Sequence, residues 1–124
     1  MSEKFDYDLI IIGSGAAGMS AARAAAASKI RVAIIENELV GSKSDIYRVA
    51  QLSASDIANQ YYEAKKFLQL SNNQDTLTYN YPSLFETIQK RVKKYILAKK
   101  KSFANFKIDL IHGDAHFISP YEIA

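Results

Sequence analysis

The sequence contains no cysteine, and this absence removes several kinds of chemistry at once. A chain without cysteine forms no disulfide framework, no thiolate metal site and no dithiol redox centre of its own. Because disulfide scaffolds are typical of oxidising compartments, the cytoplasm is the default expectation for this protein.

The sequence also lacks a long hydrophobic run. No segment approaches the roughly 18 consecutive apolar residues that a membrane-spanning helix requires. The N-terminus carries the acids Glu3, Asp6 and Asp8 and leads straight into a short apolar run, which is not the pattern of a signal peptide. We therefore expect no membrane partner.

Excess charge is small as well. The formal net charge of +3 does not by itself indicate a nucleic-acid partner. Positive charge is concentrated on the outer face of one predicted helix, at Lys90, Arg91, Lys93, Lys94, Lys99, Lys100 and Lys101. The aromatic residue among them, Tyr95, is predicted to point inward with the apolar stripe, so the charged face offers no stacking platform. We therefore interpret the face as solvated and expect no nucleic-acid partner.

The apolar residues that are present suffice for a folded core. With 124 residues, 48% of them hydrophobic, we predict a single domain over residues 1–124.

The most informative stretch is residues 7–36. It contains, in order, the apolar run Leu9–Ile12, three glycines, an alanine-rich segment from Ala16 to Ala27 and a second apolar segment from Ile30 to Glu36. This order predicts strand, glycine turn, helix and strand.

The three glycines have the spacing G-x-G-x-x-G, at Gly13, Gly15 and Gly18. In a unit that leaves a strand and opens a helix, the first suits a tight turn, the second admits a pyrophosphate to the backbone, and the third lets the helix pack on the strands. The backbone N–H groups from Ser14 to Ala17, including that of Ala16, would hold the phosphates at the helix N-terminus.

An acid completes the pattern at the end of the second strand. Glu36 follows Gly15 by 21 positions, near the distance at which an acid accepts hydrogen bonds from the adenosine ribose hydroxyls and disfavours a 2′-phosphate. The sequence therefore predicts that residues 7–36 bind a dinucleotide. An ordinary βαβ unit without a ligand is the competing interpretation.

Two long helices are predicted in the middle of the chain. The first runs from about Asp45 to Leu70, with Ser42 or Ser44 as its N-cap. A loop from Ser71 to Tyr81 follows, and a capping box beginning at Ser83 opens a second helix that runs to about Ser102. We expect the two helices to pack as an appended antiparallel pair.

Short strands are predicted at Lys107–His112 and Ala115–Ile118, with a third beginning at Tyr121. The first is expected to join the parallel sheet. His112 and His116 lie four apart, but no third ligand lies near them in the sequence. We therefore predict neither a metal site nor catalytic residues.

By its motifs, the chain resembles the N-terminal FAD-binding segment of the flavoprotein disulfide reductases, the family of dihydrolipoamide dehydrogenase, glutathione reductase and mercuric reductase. The similar stretches are Y-D-L-I-I-I-G-S-G-A-A-G, V-A-I-I-E, E-L-V-G and I-H-G-D-A-H-F-I-S-P, in the family's order and across essentially the whole chain. The resemblance implies FAD as the cofactor. NAD is the weaker alternative because these stretches follow the flavin pattern.

The resemblance also implies further site residues. The family's second motif, G-x-A, corresponds to Gly113 and Ala115 and brings backbone to the adenine. Gly41 and Ser42 resemble the start of the turn beside the flavin diphosphate, Lys43 would lie near the flavin, and Asn37 follows the acid.

The chain departs from the family at the redox centre. Where the family has a C-x-x-x-x-C loop, this chain has only Gly41-Ser42-Lys43-Ser44, and the simplest account is that the loop is absent. The family's dithiol relay therefore cannot operate here. The later FAD segment, the nicotinamide domain and the dimerisation domain of the family have no counterpart in these residues.

Taken together, we predict an α/β protein with a partial Rossmann-type FAD/NAD(P)-binding fold and an appended pair of long helices. We expect an FAD-binding module without redox activity by itself, completed by a second polypeptide or a downstream segment. The rival hypothesis is a degenerate Rossmann module that no longer binds nucleotide and serves as an interaction or regulatory module.

Overall fold

A computed structural model describes residues 5–71, 77–78 and 80–124. Its elements, in chain order, are β1 (Leu9–Ile12), α1 (Ala16–Ala27), β2 (Val32–Glu36), α2 (Lys43–Leu70), α3 (Tyr81–Asn105), β3 (Ile108–His112), β4 (Phe117–Ser119) and β5 (Glu122–Ile123). The predicted α/β class with a Rossmann-type core and two long helices is confirmed.

The three longer strands form one parallel sheet in the order β1-β2-β3. Leu9 is opposite Val32, and Val32 is opposite Ile108. Parallel neighbours need a crossover connection, and α1 supplies the one between β1 and β2. The prediction that the third strand joins this sheet is confirmed. The last two strands, β4 and β5, form a separate antiparallel hairpin.

The hydrophobic core lies on one face of the parallel sheet. Alternate strand residues point to this face, because successive side chains in a strand point in opposite directions. The buried members of the core are Met19, Ala22, Val32, Ile34, Val40, Phe103 and Ile108. This core holds α1 and the end of α3 against the sheet, and so sets where the turns after β1 and β2 lie.

The chain divides into two compact units. One comprises the residues up to Asp45 together with Ile96–Ala124, and contains both sheets; the other is Ile46–Tyr95. The sequence-based expectation of a single domain stays a prediction.

The unit of residues 46–95 is built from the facing parts of α2 and α3. Asp56 of α2 forms an ion pair with Arg91 of α3 at 2.8 Å, and further along α2 the Tyr61 hydroxyl donates to the Leu77 carbonyl. Asp56 contacts a residue within α3, whereas Tyr61, further along α2, contacts Leu77, which precedes α3 in the chain. The facing parts of the two helices therefore run antiparallel, as predicted.

The start of α3 differs from the prediction. The helix begins at Tyr81, and the Asn80 side chain accepts a hydrogen bond from the Ser83 amide at 3.2 Å. Asn80 is therefore the capping residue, and the proposed capping box at Ser83 is wrong because Ser83 already lies in the first turn. Of the predicted loop from Ser71 to Tyr81, residues 72–76 and 79 lie outside the described residues.

Other boundaries differ by one or two residues. Helix α2 begins at Lys43 rather than Asp45, and β2 begins at Val32 rather than Ile30. Lys107 has a φ of 56°, a left-handed conformation that ends the turn after α3, so β3 begins one residue later than predicted. Strand β4 begins at Phe117 rather than Ala115.

Helix α1 ends without a glycine. Lys29 takes the left-handed conformation, with a φ of 61°, and its amide donates to the Ala26 carbonyl at 3.0 Å. Glycine adopts this conformation at lower cost than lysine. None of the helices in the described part of the chain combines the length and apolar character needed to cross a membrane.

Candidate functional site

In the turn after β1, two positions require glycine because of the backbone conformation or the close approach of other backbone atoms. Gly13 has a φ of 94°, which a side chain disfavours, and its amide donates to the Ile35 carbonyl at 2.8 Å. A Cβ on Gly18 would overlap the Gly13 carbonyl oxygen and lie 3.1 Å from Cγ2 of Ile11. These two glycines let α1 start directly above the end of β1.

Gly15 is the N-cap residue of α1, and no side chain of the described residues caps this helix start. Its backbone is extended, no side chain accepts a hydrogen bond there, and the first turn of α1 contains no acid. The amides of Ala16, Ala17 and Gly18 therefore have no partner within the helix, and the positive end of the helix dipole points the same way. This arrangement can bind an anion.

Glu36 lies at the end of β2, close to the glycine turn. Its Oε2 accepts hydrogen bonds from the Ser14 amide at 2.8 Å and the Ser14 hydroxyl at 2.6 Å, and its Oε1 accepts one from the Glu38 amide at 3.1 Å. The carboxylate is half-buried and is held in place from two sides. The acid and the glycine turn, predicted to act together, lie together.

The pKa of Glu36 is lowered from its ordinary value of 4.5. Burial alone raises this pKa, but hydrogen bonds from the side chain and backbone of Ser14 and from the backbones of Glu38 and Asn37 outweigh it. The carboxylate is therefore ionised at neutral pH and acts only as an acceptor. Ribose hydroxyls, which can donate, match it; a 2′-phosphate would be repelled.

The turn before α2 lies beside the N-terminus of α1. The Gly41 amide donates to the Ser14 hydroxyl at 2.9 Å, and Cβ of Ser42 lies 3.7 Å from where a Cβ on Gly15 would stand. The Ser42 hydroxyl accepts from the Asp45 amide at 3.2 Å, so Ser42 is the N-cap of α2 among the two predicted candidates. Gly41 and Ser42 thus adjoin the uncapped amides at the start of α1.

Lys43 is oriented by a neighbouring acid. Its Nζ lies 2.7 Å from Oε1 of Glu38, and both side chains are largely exposed. The two residues flank the turn that leads into α2. The predicted position of Lys43 near a flavin stays a prediction.

The end of β3 lies next to the end of β2. The Gly113 amide donates to the Glu36 carbonyl at 3.1 Å, and the Asn37 amide group donates to Oδ1 of Asp114 at 2.7 Å. A Cβ on Gly113 would meet no atom within 4 Å, so the space there is open. Ala115 follows and is half-buried. Gly113 and Asn37 are therefore brought to the edge of the site that holds Glu36.

Three contacts in this site were not predicted from the sequence. Ser14 was expected to offer its amide to a phosphate, but that amide donates to Glu36 and the side chain is completely buried. The contacts of Glu38 with Glu36 and of Asp114 with Asn37 were not predicted either. The sequence offers no periodic signal for such contacts, because they join polar residues of different loops.

The two histidines do not assemble a site with other ligands. His112 is aligned with Glu36 across β3 and β2, and the backbone of His116 pairs with that of Ala124. Within residues 5–71, 77–78 and 80–124, no three His, Cys, Asp or Glu side chains come together in a way that would hold a metal ion.

The basic residues of α3 are mostly in solvent. Lys90, Lys93, Lys94, Lys100 and Lys101 are exposed. Arg91 is half-buried and paired with Asp56. The exposure fits the solvated helix face that the sequence predicted.

The other face of the parallel sheet is incompletely covered by the described residues. Ile10, Ile35 and Ile111 point to this face and line a cavity of about 1020 Å³ beside the β4–β5 hairpin. Ile12 is 50% exposed and Ile111 is 38% exposed. Apolar side chains at the carboxyl edge of the sheet thus remain open to contact.

Comparison with known proteins identifies the family of this site. The model of the pyridine nucleotide-disulphide oxidoreductases matches residues 7–117. The chain belongs to this family. The proteins of the pyridine nucleotide-disulphide oxidoreductase family are FAD flavoproteins, so the predicted family and its cofactor are confirmed.

Individual relatives match over nearly the whole chain but over little of their own length. A dihydrolipoyl dehydrogenase of Synechocystis is 29% identical over 99% of this chain and 27% of that protein. A soluble pyridine nucleotide transhydrogenase of Marinobacter nauticus is 26% identical over 94% of this chain and 26% of that protein. A glutathione reductase of Nostoc is 54% identical, over 30% of this chain and 8% of that protein. The chain spans about a quarter of the length of the first two relatives.

Proposed function

We propose that this chain is an FAD-binding module that holds the adenosine diphosphate half of the cofactor at the N-terminus of α1. The observation that carries the proposal is the uncapped start of α1 at Gly15, with Glu36 fixed beside it. The free amides receive the pyrophosphate, and the ionised carboxylate receives the ribose. When bound, FAD supplies the hydride and electron chemistry.

The other predicted contacts extend this assignment. Gly41 and Ser42 border the diphosphate, since they adjoin Gly15. Gly113 and Ala115 border the adenine, since the Gly113 amide donates a hydrogen bond to the Glu36 carbonyl at the same edge of the sheet. Asn37 orients this edge through Asp114.

A test of the proposal removes the ribose acceptor. In Glu36→Ala, the affinity for FAD and ADP should fall by roughly tenfold to a hundredfold, because a charge-assisted hydrogen bond contributes about 1.5 to 3 kcal/mol. Isothermal calorimetry measures this, with melting curves to confirm that the variant is folded. Glu63→Ala, which removes an exposed acid from α2, is the matched control and should bind like the parent.

Either of two results would refute the assignment. Equal affinity of the parent and Glu36→Ala for ADP would show that Glu36 does not hold the ribose. A folded parent chain that takes up neither ADP nor FAD would instead favour the degenerate module that acts through its helices.

We further propose that the chain is not a competent disulfide reductase by itself. It has no cysteine pair to attack a disulfide. With saturating FAD and NADH or NADPH, thiol release from a disulfide substrate should therefore equal that of an FAD-only control. Thiol release above this control, proportional to protein concentration and lost in Gly15→Val, would reveal a redox route in the chain.

The partner of the module, in this proposal, is a second polypeptide or a downstream segment that completes the flavin site. Two observations support this: the relatives are about four times as long, and apolar residues such as Ile12 remain exposed on the sheet. We propose the cytoplasm as its location, because the chain has no cysteine for a disulfide framework.

A further inference from the structure

Ser14 is the polar side chain most completely enclosed by the site. It is 0% exposed, so its hydroxyl has no access to a ligand. The hydroxyl nevertheless donates to Oε2 of Glu36 at 2.6 Å and accepts from the Gly41 amide at 2.9 Å. Ser14 therefore ties together the glycine turn, the acid of β2 and the turn before α2. Any effect it has on a ligand passes through Glu36 and Gly41.

The hydrogen bonds of Ser14 also decide which oxygen of Glu36 is available. A carboxylate oxygen has about two lone-pair positions. Oε2 already accepts both the amide and the hydroxyl of Ser14, whereas Oε1 accepts from the Glu38 amide, and the backbone of Asn37 also hydrogen-bonds the carboxylate. Ser14 therefore takes up both lone-pair positions of Oε2, and Oε1 is the oxygen that Ser14 leaves to other donors. Without the Ser14 hydroxyl, the carboxylate would lose its shortest contact and could rotate.

We propose that Ser14 is a positioning residue for ribose recognition: it holds Oε2 of Glu36 so that Oε1 faces the ribose hydroxyls of the bound nucleotide. This inference rests on the proposed function, since it assigns a role within the same site. Fixing an acceptor before the ligand arrives reduces the ordering cost of binding. Ser14 thus selects for a ribose that carries hydroxyls without touching it.

The first measurement needs no ligand. The Glu36 carboxyl carbon is followed by NMR as a function of pH in the parent and in Ser14→Ala. Burial raises the pKa of Glu36, and the hydrogen bonds from Ser14 lower it. Removal of the Ser14 hydroxyl should therefore move the titration midpoint of Glu36 upward. Ser53→Ala is the matched control, because Ser53 is also buried but donates to the Val49 carbonyl within α2. In Ser53→Ala the titration midpoint of Glu36 should be the same as in the parent.

The second measurement compares ADP with 2′,3′-dideoxy-ADP. The parent should prefer ADP by about tenfold to a hundredfold, and Ser14→Ala should reduce this preference by about threefold to tenfold while the affinity for the dideoxy compound stays within about twofold. In the Glu36→Ala background, Ser14→Ala should leave the preference unaltered. If Ser14→Ala does not fold, Ser14→Cys, whose thiol is a weaker donor, replaces it.

The results separate this inference from the proposed function. If Ser14→Ala weakens ADP and dideoxy-ADP equally, or leaves the Glu36 midpoint unmoved, Ser14 has only a structural role and the inference is overturned, although nucleotide binding stands. If the parent binds no ADP, the proposed function falls and ribose positioning falls with it. The NMR titration would then still report whether the Ser14 hydroxyl lowers the pKa of the Glu36 carboxylate.

Discussion

Replacement of Gly15 by valine should lower the affinity for ADP and FAD by about a hundredfold or more, with the chain still folded. Gly15 has a φ of −65° and a ψ of 178°, an extended conformation that β-branched residues adopt. A Cβ there would have one near neighbour, Cβ of Ser42 at 3.7 Å, which is an ordinary contact. The added methyl groups would instead occupy the space over the uncapped amides of α1, where the pyrophosphate approaches in the proposed site.

Calorimetric titration with ADP measures this loss, and circular dichroism confirms the fold. Ala24→Val is the control, since it adds the same side chain to an exposed position on α1 away from the N-terminus. It should bind ADP like the parent. If Gly15→Val binds ADP as tightly as the parent, the nucleotide site lies elsewhere on the chain.

Replacement of Gly18 by alanine should be the most destabilising single methyl addition in the site, by about 3 kcal/mol. The new Cβ would overlap the Gly13 carbonyl oxygen and crowd Cγ2 of Ile11 at 3.1 Å. Because the first obstacle is backbone, it cannot rotate away as a side chain would. Either α1 must move from the sheet or the turn at Gly13 must change.

Thermal melting of Gly18→Ala beside Gly15→Ala provides the comparison. The two substitutions add the same methyl group three residues apart, but only the Gly18 position is closed by backbone. We expect the melting temperature to fall by about 10 °C or more in Gly18→Ala and to change by a few degrees at most in Gly15→Ala. Equal melting temperatures would mean that α1 does not pack on β1 through Gly18.

The sequence alone was sufficient to predict the strand, turn, helix and strand around the three glycines. The bounds of β1 and α1 were predicted to the residue, and the end of β2 at Glu36 was predicted as well. The requirements there are local: a positive φ at Gly13, close helix packing at Gly18, and apolar runs of the right length. Each acts within a few residues along the chain, so pattern and spacing reveal them.

Helix and strand ends were predicted less well where several residues compete for one role. Asn80 and Ser83 are both good capping residues, and the sequence favoured Ser83 because of its capping box. The structure uses Asn80, whose side chain accepts from the Ser83 amide. Lys107 likewise leaves its predicted strand, since the turn after α3 requires a positive φ there.

Only the tertiary structure decided how the polar groups of the site are connected. Ser14 meets Glu36 and Gly41, which are 22 and 27 residues away, and Asn37 meets Asp114 across 77 residues. The sequence determined that a strand, a glycine turn, a helix and an acid would occur in order. Which groups hold each oxygen of Glu36 was decided when the sheet brought the ends of β1, β2 and β3 to one edge. Hydrogen-bond partners are set by distance in space, and sequence periodicity carries no information about distances between separate loops.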